Sequence, residues 1–135
     1  MVKTEITYTG QLHCELSHGP SGSKIETDAP KDNQGKGERF SPTDLVGAAL
    51  GSCILTTMGI VAARDGISIV GAKAQVEKEM VTTPYRRIGS LKTRVVLSNK
   101  LTPEQRQKLE RTASHCPVHQ SLHPDVDAPI EFEYV

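Results

Sequence analysis

Two thiols carry the chemistry that this chain is equipped for. Cys53 lies inside an apolar run, residues 46–55 (VGAALGSCIL). Cys116 lies in residues 114–122 (SHCPVHQSL), directly before Pro117, which can open a helical turn. One thiol in an apolar wall and another at a helix N-terminus is a layout for a two-thiol redox site. A thiol reacts as thiolate; burial raises its pKa, whereas cations and helix N-termini lower it. Cys116 can act as N-cap of the turn that starts at Pro117, where unpaired backbone N–H groups favour a thiolate. His115 and His119 can add positive charge there. Cys53 sits mid-helix and needs a cation from elsewhere.

Arg39, Arg86 and Arg87 are the candidate cations, and Glu38 or Asp44 could orient one of them. Each of these also reads as an ordinary solvated loop charge. His119 fits a group that orients the thiolate or caps the turn, and equally an ordinary surface histidine. Taken alone, either cysteine also fits a small buried hydrophobe. Cys14, on the apolar face of a strand, stays in that class. His115, Cys116, His119 and His123 invite a metal reading, since residues four apart on one helix converge. Pro117 and Pro124 break that run, so no metal ligation is expected.

The thiols must be positioned by a short chain. At 135 residues it is expected to form one domain, residues 1–135, with a modest core. Acidic and basic side chains balance at 16 each, which argues against nucleic acid or a membrane surface as partner. Five aromatics are too few for base-stacking platforms. The N-terminus lacks a signal-like apolar segment, and the longest apolar run is broken by Gly, Ser and Thr before Arg64 and Asp65. No stretch is therefore expected to reach a membrane span. Three cysteines do not make a secreted disulfide framework, so the expected location is the cytoplasm.

Residues 3–9, 11–16 and 24–28 read as strands of a meander. In the second of these, Leu12, Cys14 and Leu16 face one way, and His13 and Glu15 the other. Residues 30–40 form a polar loop. Ser41, Pro42 and Asp44 then predict a helix start, with a Ser N-cap, Pro at the first position and an acid at the third. The helix is expected to run to Arg64–Asp65 and stop at Gly66. Gly47 with Gly51, and Ala48 with Ser52, would let another backbone, such as a second helix, approach closely. Residues 69–80 and 88–97 read as two more strands, with Val70, Ala72, Ala74 and Val76 on one face. Thr102 to Gln105 predicts a capping box for a short helix to about Ala113. Residues 129–135 close the chain as a strand. The order β-β-β-α-β-β-α-β, joined by hairpins rather than crossovers, is α+β.

Residues 40–53 (FSPTDLVGAALGSC), paired with residues 116–122 (CPVHQSL), closely resemble the OsmC/Ohr family of osmotically induced and organic hydroperoxide resistance proteins, most nearly its YhfA-type branch. The resemblance spans nearly the whole chain. It implies an intertwined α+β homodimer with antiparallel sheets wrapped around long central helices and active sites at the subunit interface. It also implies thiol-dependent reduction of organic hydroperoxides in oxidative-stress defence. By position Cys53 matches the peroxidatic cysteine and Cys116 the resolving one. No bound cofactor is implied; an external dithiol, lipoyl-type in Ohr relatives, is the expected reductant. Ohr-type members carry a Glu after the helix-opening proline that pairs with an activating Arg. Here that position is Thr43, which cannot form the ion pair, so a fast peroxidase, a weak one and another thiol role all stay open. The alternative is a non-catalytic lipid- or small-molecule-binding module of the same fold.

Overall fold

In the computed structural model, which describes residues 1–135, β1 (Thr4–Gly10), β2 (His13–His18) and β3 (Lys24–Asp28) form an antiparallel meander in the order β1-β2-β3. The β1–β2 connection uses left-handed backbone at Gly10 (φ 94°), Gln11 (φ 55°) and Leu12 (φ 59°). Leu12 therefore lies in the turn, exposed, and not on the apolar face of β2 as expected. Positive φ at two non-glycine residues is uncommon, but a two-residue turn of this hand matches the twist of the strands it joins.

Helix α1 (Pro42–Arg64) opens on the predicted cap. Ser41 Oγ accepts from the Asp44 N–H at 3.0 Å, and the Asp44 carboxylate accepts from the Ser41 N–H at 2.9 Å. This reciprocal pair satisfies two donors that the first turn leaves without helical partners. The chain packs as two compact units, residues 1–46 and 47–135.

In the second unit β4 (Lys73–Val81), β5 (Arg87–Leu97) and β6 (Ile130–Tyr134) form a sheet in the order β4-β5-β6. β4 and β5 are an antiparallel hairpin pair, while β6 joins β5 in parallel. The expectation of hairpins throughout is corrected at this point: α2 (Pro103–Ala113) and α3 (Pro117–Ser121) carry the chain back across the sheet, as a parallel neighbour requires. Leu50, Ile54, Met58 and Ala62, at four-residue spacing on α1, are buried together with Leu91, Val95 and Leu97 of β5 and Leu109 and Ala113 of α2.

The small residues of α1 meet the sheet. A Cβ on Gly51 would stand 3.0 Å from Val76, and one on Gly47 would stand 3.5 Å from both Val76 and Leu91. The glycines thus admit β4 and β5 side chains, which corrects the expectation of a second backbone at Gly47 and Gly51. Ala48 and Ser52, one residue further round, are exposed. Val70 is 97 % exposed and precedes β4, so the predicted apolar face starts only at Ala72. With 23 residues and a window of mean hydropathy 2.0, α1 is long and apolar enough to cross a membrane by length and composition alone. The interruptions by Gly, Ser and Thr do not lower its hydropathy as far as expected, and the core-facing side chains above show that part of it packs on protein.

Candidate active site

The second unit brings Cys53 and Cys116 together. Cys53 projects from the middle of α1, half-buried, with its Sγ 4.0 Å from Thr57 Oγ1 one turn on. Cys116 is the N-cap of α3 and is fully buried, at 0 % exposure. Both are free thiols. Cys53 lies near enough to raise the Cys116 pKa, so the two thiols stand within electrostatic reach of each other.

The cap behaves as the residues direct. The His119 backbone N–H donates to Cys116 Sγ at 3.3 Å. The net effect on Cys116 is nevertheless the reverse of the expected one. Burial is the largest influence and pushes its pKa up. The backbone donors of His119 and Val118 pull it down, while the hydrogen bond and charge of Cys53 push it further up. An N-cap position is visible in sequence; the depth at which tertiary packing places it is not.

The three histidines around Cys116 have separate partners. The His115 ring bonds the Arg111 carbonyl at 2.7 Å, the His119 Nε2 bonds the Ala128 carbonyl at 3.1 Å, and His123 Nδ1 accepts from the Asp125 N–H at 3.0 Å. His119 thus serves the thiol through its backbone while its ring ties α3 to the segment before β6. Arg87 donates to the carbonyls of Ile88 (3.3 Å) and Asp125 (3.4 Å).

In the first unit Arg39 donates to the Glu26 carboxylate at 3.2 Å and to the Glu38 carbonyl at 3.3 Å. Its carboxylate partner is Glu26 of β3, in place of the expected Glu38 or Asp44. The Glu38 side chain is exposed, and Asp44 closes the cap of α1. Sequence reasoning also passed over the His13–Asp28 pair, 2.6 Å apart. The only sequence signal for it was the placing of His13 on the polar face of β2.

The sequence profile of the OsmC-like protein family matches residues 35–131. A Psychrobacter arcticus 273-4 protein, whose name proposes an osmotic-stress-induced detoxification role, is 40 % identical; the match covers 98 % of this chain and 96 % of that one, with a TM-score of 0.93. An organic hydroperoxide resistance protein OsmC from Legionella pneumophila has the same fold at 17 % identity, covering 100 % and 97 %, with a TM-score of 0.80. The organic hydroperoxide resistance protein OhrB of Bacillus subtilis has it at 19 % identity, covering 98 % of each chain, with a TM-score of 0.69. No curated protein matches the sequence. The chain belongs to the OsmC-like family, and its fold is the α+β fold of the OsmC and Ohr proteins.

Proposed function

We propose that this protein is a thiol-dependent peroxidase that reduces organic hydroperoxides, with Cys53 as the attacking thiol and Cys116 as the resolving one. The observation that carries the reading is the nearness of two free thiols, felt in the raised pKa of Cys116. Exposure supports these roles: Cys53 is half-buried, while Cys116 is fully buried and its pKa is held up. In the first step the Cys53 sulfur attacks the O–O bond; the alcohol leaves with the thiol proton and Cys53 becomes a sulfenic acid. In the second, Cys116 displaces water from that sulfur and a disulfide forms. An external dithiol, of lipoyl type in this reading, then exchanges with the disulfide and restores both thiols.

The cap on Cys116 lets the second step follow the first. Once Cys53 is a neutral sulfenic acid, its charge no longer opposes ionisation of Cys116. The His119 and Val118 N–H groups then favour the Cys116 thiolate without that opposition. An alkyl hydroperoxide suits the apolar run around Cys53, because burying an alkyl chain is favourable.

The same reading includes a homodimer. Ala48, Ser52, Thr56 and Ile60 form an exposed, weakly polar stripe on α1, and a second copy is the partner proposed to cover it. A reducing cytoplasm suits thiols that must cycle. The test is steady-state consumption of cumene hydroperoxide in the presence of a dithiol. Wild-type protein turns over and Cys53→Ser does not; equal rates for the two would overturn the proposal.

A further inference from the structure

The β2–β3 hairpin holds a second group of chemically competent side chains, unrelated to the thiols. His13 pairs across the strands with Asp28, and Glu15 pairs with Glu26. Alternation along a strand puts all four on one face. The His13 ring is gripped at both nitrogens: Nδ1 lies 2.6 Å from Asp28 Oδ1, and Nε2 lies 3.3 Å from Glu26 Oε1. Glu26 is oriented in turn, because its other oxygen accepts from Arg39 at 3.2 Å. One ligating atom each from His13, Glu15 and Glu26 lies within 4.8 Å of the others.

Two features of this arrangement fit a cation better than a plain ion-pair cluster. First, Glu15 and Glu26 are directly opposite each other, and like charges in that position destabilise a sheet. Second, the groups that could ligate are already aimed by outer partners. Asp28, nearly buried, holds the imidazole by Nδ1, and Arg39 holds Glu26 by Oε2, so Nε2 and Oε1 are directed at the same space. A carboxylate on the far nitrogen of a ligating histidine is the usual outer partner of such a ligand.

We propose that His13 Nε2, Glu15 and Glu26 form a binding site for a divalent first-row transition-metal ion, with Asp28 and Arg39 as the residues that position the ligands. One imidazole with two carboxylates suits zinc, iron or manganese rather than calcium or a thiolate-seeking ion. Ligand atoms on one ion, at bonds of about 2.1 Å, stand roughly 3–3.5 Å apart. The exposed Glu15 and Glu26 side chains reach that spacing by rotation about their own bonds. The proton balance is simple: the ion replaces the proton on His13 Nε2, which is released to solvent. An open cleft of about 320 Å³, lined by Gln11, His13, Asp28, Lys36 and Arg39 among others, gives access from the side of His13.

Zinc chloride titrated into the full-length reduced protein at neutral pH, followed by the ring nitrogen resonances of its histidines, tests the site. The expected result is a metal-bound shift of His13 Nε2 with the other four imidazoles unmoved, and with Cys53 and Cys116 still alkylated at their metal-free rates. Asp28→Asn should weaken binding by about 10–100-fold, the usual effect of losing an outer partner. Glu15→Gln is the variant that separates the site from a structural cluster. Its side chain is exposed, and removing one of two opposed charges should leave the metal-free protein at least as stable, yet zinc affinity should fall by about tenfold or more. Zinc that shifts His115, His119 or His123, or that protects the thiols while His13 stays still, would overturn the proposal. So would equal zinc affinity for Glu15→Gln and wild type.

Discussion

The β2–β3 face and the thiol pair treat ionisable groups in opposite ways. On the β2–β3 face, partners decide the charge. The His13 hydrogen bond is the largest influence on Asp28 and lowers its pKa; the Arg39 hydrogen bond does the same for Glu26; and the Asp28 hydrogen bond raises His13. At the thiol pair, burial decides. Cys116 has two backbone donors aimed at it and its pKa is still raised. The partner is the difference: Asp28 is almost as buried as Cys116, yet its hydrogen bond to His13 outweighs desolvation, whereas Cys116 has only backbone donors and a neighbouring thiol that opposes its ionisation. The charged face is therefore suited to hold something ionic. Cys116 is suited to stay neutral until chemistry at Cys53 changes its surroundings.

The largest expected effect that sharpens this contrast is on turnover. Cys116→Ser should stop after a single peroxide per chain, with Cys53 accumulating as a sulfenic acid that dimedone traps. Continued cycling of that variant would show that burial of Cys116 has no part in resolution. Next in size are packing changes on the buried side. Gly51→Leu, whose Cβ already crowds Val76 at 3.0 Å, should lose about 1–3 kcal/mol in urea unfolding. Gly47→Ala, which meets its neighbours at ordinary contact distance, should gain up to about 1 kcal/mol from helix propensity. Ser41→Ala, which removes the cap of α1, should cost about 1 kcal/mol.

The smallest effects are in pH dependence, and their signs differ between the two regions. The lowered carboxyls of Asp28 and Glu26 contribute stability that is present above about pH 4, their ordinary range, and lost as pH falls through their folded values. The raised His13 contributes stability present below about pH 6.5 and lost as pH rises through its folded value. The raised Cys116 acts at the alkaline end. Between the usual thiol pKa of about 8.5 and its folded value, the unfolded chain binds fewer protons, so stability falls as pH rises. His13→Ala should flatten the curve near neutrality and also weaken its acid limb, because His13 is the largest influence on Asp28, whereas Cys116→Ala should act only above about pH 8.5. Urea midpoints across the pH range measure both, and a variant that flattens the other's window would break the contrast.

What was legible in the sequence was local. Ser41 with Asp44, Thr102 with Gln105, and Cys116 with Pro117 each define a helix start within four residues, and all three caps form. The alternation in β4 depends on nothing beyond the strand itself and holds over 73–80, while Leu91, Thr93, Val95 and Leu97 alternate inward on β5. What escaped depends on residues far apart. The parallel seating of β6 on β5 follows from how α2 and α3 return the chain. The sheet side chains that fill the gaps at Gly47 and Gly51 come from some 25 or more positions downstream. The pairing of Arg39 with Glu26 requires the place of β3 beside the loop that follows it. At the thiol site the cap on Cys116 was readable, and the burial that reverses its effect was not.

The account stands most directly on one reaction. Reduced protein is treated with one equivalent of cumene hydroperoxide, quenched by alkylation and digested. Mass spectrometry should then find the peptides of Cys53 and Cys116 joined by a disulfide, with Cys14 alkylated. Recovery of both Cys53 and Cys116 as alkylated thiols, or oxidation confined to Cys14, would contradict it.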